Sequence, residues 1–212
     1  CELIKFETTR KTNSNKKVLI IAPMSGHYAT LTRNTVLSLL PDCEVFVTDW
    51  INARDVSLSN GKFDIEDFTR YLIDFYQTLS PNLNVMAICQ PAPLALAALS
   101  FVTKNDYKNK PNTLTLIGGP IDPEANPTTV TDEYLSSINK QIEKFGYMEG
   151  SFLAKTFSFL RSNDLVYGPA IKSYLMGKKP PPFDLLYWNS DSTNLPGVMA
   201  LEYLEKLEES LT

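Results

Sequence analysis

The chain has 212 residues, 43% of them hydrophobic, and a formal net charge of -4. That length and apolar share suffice to bury a sizeable core, as one domain or one domain with a small cap, and give no reason to expect disorder. An acidic balance without a basic stripe argues against nucleic acid as a partner; no apolar run approaches the ~18 residues of a membrane span and no signal peptide opens the chain, so a soluble, cytoplasmic protein with no membrane contact is expected.

Taken in order, Glu2 to Thr8 reads as an edge strand and Arg10 to Lys17 as a polar turn. Val18 to Ala22 is a continuous apolar run of the kind buried on both faces of a parallel sheet. Pro23-Met24-Ser25-Gly26-His27 ends it, and a helix is expected over Ala29 to Leu40. Val45 to Val47 is the next strand, followed by a long loop from Asp49 to Lys62. Asp64 then caps a helix over Ile65 to Leu79, with apolar positions at Ile65, Phe68, Leu72, Phe75 and Leu79.

Val85 to Ile88 suits a buried strand, and the alanine- and leucine-rich run from Ala92 to about Val102 suits a packed helix. Cys89 sits between them. A sharp strand-to-helix turn would hold its side chain clear of the backbone, above the positive end of the following helix, and that setting is expected to favour a thiolate. Pro91 and Pro93 are tolerated in a first helical turn, and Gln90 has a backbone N–H free to meet an oxyanion. The pattern is a nucleophile elbow carrying cysteine, with Ala87 and Pro91 where glycines are usual; a buried structural cysteine is the other reading.

Thr113 to Ile117 makes a further strand that ends in Gly118-Gly119-Pro120. Strands alternating with helices at this spacing imply an α/β fold with a parallel sheet and right-handed crossovers. After Pro127 helices alone are expected, at Thr128 to Phe145, Gly150 to Leu160, about Leu165 to Met176, and Val198 to Leu211. The expected organisation is thus a core over residues 1–127 and a helical cap over 128–212. The other cysteines, Cys1 and Cys43, form neither a disulfide framework nor a zinc pattern with Cys89, and no metal or cofactor is expected.

The residues carry a resemblance. Ala22 to Leu31, Thr48 to Arg54, Cys89-Gln90-Pro91 and Gly118 to Asp122 resemble intracellular polyhydroxyalkanoate (polyhydroxybutyrate) depolymerases of the α/β-hydrolase superfamily. Leu160 to Leu165, Tyr174 to Gly177 and Phe183 to Thr193 instead resemble polyhydroxyalkanoate synthases. The resemblance implies a partial α/β-hydrolase fold with a nucleophile elbow and a helical cap. It also implies a polyhydroxyalkanoate polymer or a hydroxyacyl-coenzyme A as partner, and a first step in which Cys89 is acylated.

The main expectation is a depolymerase-like cysteine acyl hydrolase; the alternatives are a synthase (acyltransferase) fragment or a silent granule-binding remnant. In such folds the acid and then the histidine follow the nucleophile. The single histidine, His27, precedes Cys89, so Ser25, Gly26 and His27 are expected to shape the pocket or supply oxyanion N–H groups together with Gln90. The chain begins at Cys1 and ends at Thr212 without a downstream histidine. It therefore reads as a fragment lacking the C-terminal catalytic strands, open to association with the missing part or with a second copy.

Overall fold

The computed structural model describes residues 1–8, 15–24, 30–105, 108–122, 125, 132–152, 154–155, 163, 167–178 and 192–209. Five strands form the main sheet: β1 (Glu2–Phe6), β2 (Lys17–Ile21), β3 (Glu44–Asp49), β4 (Leu83–Ile88) and β5 (Thr113–Ile117). Their order is β1-β3-β2-β4-β5. Strands β2 to β5 run parallel, with Val18 opposite Val45, Ile21 opposite Ala87 and Ile88 opposite Ile117, while β1 joins antiparallel at the edge.

The apolar runs of β2 and β3 are continuous because both of their faces are covered. On one face Val18, Ile20, Val45 and Val47 pack with Val36 of α1 (Arg33–Leu39). On the other, Leu19, Ile21, Phe46, Val85 and Ala87 pack with α2 (Ile65–Leu79) and α3 (Pro91–Lys104). Helix α2 begins where the sequence places it: the Asp64 carboxylate accepts from Asp67 N–H at 2.9 Å, and the Asp67 carboxylate accepts from Asp64 N–H at 3.2 Å, a reciprocal capping box. Its buried face is Phe68, Leu72, Tyr76 and Leu79. Small residues at Ala92, Ala95 and Ala98 let α3 lie close to the sheet, and the buried Tyr76 hydroxyl donates to the Ala95 carbonyl at 3.2 Å.

Beyond the sheet lie α4 (Asp132–Phe145), a two-stranded antiparallel ribbon of β6 (Tyr147–Met148) and β7 (Leu195–Pro196), and α5 (Gly197–Glu209). The ribbon corrects the expectation of helices alone after Pro127. Each strand is two residues long and β7 contains a proline, so neither leaves an alternating pattern to read. A short helical turn, Gly168–Ala170, runs into a wider one at Ile171–Leu175. Most of the synthase-like segment, including 179–191, lies outside the described residues.

Helix α5 joins two clusters. Met199 enters the main core, whereas Ala200 packs with Ile138 of α4 and Met148 of β6. Glu202 reaches across to accept from the Ile65 N–H at 3.1 Å, giving the start of α2 a second acidic cap. No helix among the described residues is long and apolar enough to cross a membrane.

Candidate active site at the nucleophile elbow

The parallel strands deliver their following residues to one carboxyl edge: Met24 after β2, Trp50 after β3, Cys89 after β4 and Gly118 after β5. The chain leaves β2 for α1 on one face and β4 for α3 on the other, so the crevice of this sheet opens between those two strands.

Cys89 adopts a φ of 66°, the left-handed region that a side-chain-bearing residue enters at a cost of about 1–2 kcal/mol. Its surroundings enforce the turn. Its N–H donates to the Ile117 carbonyl at 2.8 Å, at the end of β5, and its own carbonyl accepts from Ala92 N–H at 3.0 Å. Gly119 closes over the turn, where an added Cβ would run into the Ala92 side chain and stand 2.8 Å from the Cys89 carbonyl oxygen. A nucleophile elbow is thus present, with Cys89 half-buried at its tip.

Gln90 opens α3 with helical backbone angles and no side-chain capping bond. Its amide oxygen is buried without a hydrogen-bond partner among the described residues. Its carbonyl is held from outside the elbow, by the Tyr203 hydroxyl of α5 at 3.0 Å. Tyr203 is a site residue that sequence reasoning missed: it lies far along the chain, inside an unremarkable amphipathic helix, and carries no local motif.

The electrostatics correct the expectation of a thiolate. Burial pushes the Cys89 thiol above its ordinary range, and the Gln90 backbone N–H pulls it back less strongly. The sequence explains the sign. A helix N-terminus stabilises an anion through its unspent N–H groups, but Pro91 and Pro93 have none and Ala92 N–H is committed to the Cys89 carbonyl. Gln90 N–H is the donor left of those four residues. Burial first, and then the neighbouring Cys89, push the Tyr203 hydroxyl up as well, so it stays protonated and donates.

Ser25, Gly26 and His27 lie outside the described residues. No group of three or more His, Cys, Asp or Glu among the described residues is arranged to hold a metal ion. Arg54 pairs with Asp55 at 3.6 Å, both well exposed, and Trp50 stacks on Phe68 with ring centroids 4.2 Å apart. Trp50, Phe63, Phe68, Met24 and Met199, with residues 193–196, line a cavity of about 40 Å³. At the ~10–15 Å³ that one water centre needs, this is space for a few waters. Cys89 is not among its walls.

No family model matches the chain. Against curated proteins it is 29% identical to the poly(3-hydroxyalkanoate) polymerase subunit PhaC of Rhizobium etli, an alignment that covers 100% of this chain and 35% of that protein. The chain is similar to poly(3-hydroxyalkanoate) polymerases from end to end. It is 28% identical to the PhaC subunit of Cupriavidus necator, covering 96% of this chain and 37% of that protein. For polymerase 1 of Ectopseudomonas oleovorans the figures are 25%, 99% and 39%. The chain thus spans little more than a third of the length of these polymerases. Similarity that includes residues 1–130 leaves the depolymerase half of the expectation without support, since polymerases match both halves. Among solved structures, MenH from S. aureus aligns with a TM-score of 0.49 at 12% identity, over 95% of this chain and 69% of that one. The type II thioesterase BorB aligns with a TM-score of 0.42 at 16% identity, over 66% and 61%. The fold is a partial α/β-hydrolase fold, given by the strand order, the parallel register and the elbow.

Proposed function

We propose that the chain is the nucleophile-bearing part of a polyhydroxyalkanoate polymerase, an acyltransferase in which Cys89 takes up the hydroxyacyl group of a hydroxyacyl-coenzyme A. The observation that carries this reading is the elbow itself, with Cys89 at a φ of 66° between β4 and α3, in a chain similar to polymerases along its whole length. In the reaction Sγ attacks the thioester carbonyl, the new S–C bond forms as the C–S bond to coenzyme A breaks, and the thiol proton ends on the departing coenzyme A sulfur. The Gln90 N–H, with N–H groups of the loop holding Ser25, Gly26 and His27, would receive the oxyanion. Transfer of the acyl group to the hydroxyl end of a growing polyester then returns the proton to Cys89. Because burial favours the neutral thiol, uptake requires a base to take its proton. The site would work at the surface of cytoplasmic polymer granules.

The test is release of free coenzyme A from 3-hydroxybutyryl-coenzyme A by this chain. About one equivalent per chain, lost in Cys89→Ala, is expected; release that survives Cys89→Ala contradicts the assignment. One observation favours a second reading, a module that holds polymer without turning it over: Cys89 is half-buried ahead of a helix in whose first turn Pro91 and Pro93 offer no N–H to an anion. Co-sedimentation with polymer granules, unchanged by Cys89→Ala and without coenzyme A release, would support it.

A further inference from the structure

We propose that Tyr203 is a positioning residue for Cys89: by donating to the Gln90 carbonyl, its hydroxyl holds the peptide that leads from Gln90 into α3 and so steadies the turn on which Cys89 stands. The proposal rests on Cys89 being the reactive group of the proposed function, and it assigns α5 a part in the chemistry.

Four observations carry it. The hydrogen bond is 3.0 Å long and joins residues 113 apart in sequence, so it is made only when α5 is docked. Cys89 occupies a backbone region that persists only where neighbours over-determine it, and Gln90 is the residue through which the turn enters α3. The Gln90 side chain supplies no tie, since it makes no capping bond and its amide oxygen finds no partner among the described residues; the Cys89–Gln90 peptide is held from within the elbow by Ala92 N–H, and the Gln90 carbonyl from outside it by Tyr203. Finally, α5 is anchored independently of Tyr203, by Met199 in the core and by Glu202 on the Ile65 N–H, and therefore delivers the hydroxyl from a fixed position. With prolines at positions 91 and 93, the orientation of one N–H decides how much the elbow stabilises negative charge on sulfur.

Among the described residues the titratable group facing Cys89 is Tyr203 of α5; α3 presents Pro91 and Ala92, and the segment after β5 presents Gly118 and Gly119, none of which titrates. His27 lies outside the described residues.

The experiment is the pH profile of Cys89 alkylation by iodoacetamide, followed by peptide mass, in the unaltered chain, in Tyr203→Phe and in Glu202→Gln. Tyr203→Phe keeps the ring and its burial, so far-ultraviolet circular dichroism is expected to be unchanged. Its alkylation midpoint is expected to rise by roughly half a pH unit, a fraction of the about one to two units that a full N–H contact to the thiolate is worth, with the same plateau rate at high pH. Glu202→Gln removes a charge but keeps an amide oxygen to accept the Ile65 N–H, so α5 stays docked and the hydroxyl in place, and its midpoint is expected not to move. An unmoved midpoint in Tyr203→Phe, or an equal rise in both variants, overturns the proposal. Alkylation needs no acyl donor, so a shift without coenzyme A release keeps the positioning role and removes the acylation reading, whereas release without a shift does the reverse.

Discussion

Gly119 lies against Ala92 so closely that the glycine has no room for a methyl group, and the same Cβ position is 2.8 Å from the Cys89 carbonyl oxygen. The segment after β5 therefore clamps the turn that holds Cys89 at positive φ, and the elbow depends on a residue thirty positions downstream of Cys89.

Gly119→Ala is accordingly expected to cost about 1–3 kcal/mol, the usual range for overpacking, and to slow acylation of Cys89. Gly118→Ala is the comparison. Gly118 has a φ of 59° with open space around it, so its loss should reflect backbone strain alone, about 1 kcal/mol. Urea denaturation of both variants checks the difference; equal losses would mean that the clamp is not closed.

Cys89 should behave as a reluctant thiol. Its folded-state pKa is raised by burial, so less thiolate is present at neutral pH than in a free cysteine, whose pKa is about 8.5. Alkylation of Cys89 is expected to be slower than that of a small thiol at pH 7 and to rise with pH through a midpoint above the free value. A midpoint below it would restore the thiolate read from the helix N-terminus.

Tyr76 makes stability fall at high pH. Its hydroxyl is fully buried and its pKa is raised by desolvation, so the folded chain holds the proton while the unfolded chain releases it near pH 10. The contribution is complete below that pH and is lost as pH rises toward the folded value. Tyr76→Phe, which gives up one buried hydrogen bond worth about 1 kcal/mol at neutral pH, is expected to show a shallower alkaline loss. Denaturation midpoints at pH 7 and pH 10.5 measure both effects.

Asn194 ties three segments together. Its amide nitrogen donates to the Asn52 side-chain oxygen at 3.0 Å, its side-chain oxygen accepts from Gly150 N–H at 3.0 Å, and its carbonyl accepts from Ala53 N–H at 3.2 Å. Asn194→Asp replaces the donor with an acceptor facing another acceptor and is expected to cost about 2–3 kcal/mol. Asn194→Ala should cost less, and a thermal melt of the pair in which the order is reversed would contradict the network.

Legibility followed range. Helix α2 and its Asp64 cap could be read residue by residue because apolar spacing and capping are local, and the elbow because an apolar run, Cys89 and an alanine-rich run are contiguous. The two-residue β6 and β7 carry too little pattern to announce themselves. Tyr203 and Glu202 act on residues more than a hundred positions away, which no spacing rule reaches. The sign of the Cys89 shift is only partly legible: burial, its main cause, depends on the packed fold, whereas the N–H groups missing at Pro91 and Pro93 can be seen in the sequence.

The most direct measurement is the intact mass of the chain after incubation with 3-hydroxybutyryl-coenzyme A, with peptide mapping and Cys89→Ala as control. One hydroxybutyryl group on Cys89, absent from the control, is the result expected of an elbow that accepts an acyl group. An unmodified chain whose Cys89 still reacts with iodoacetamide would contradict it, leaving an exposed cysteine that the elbow does not put to work.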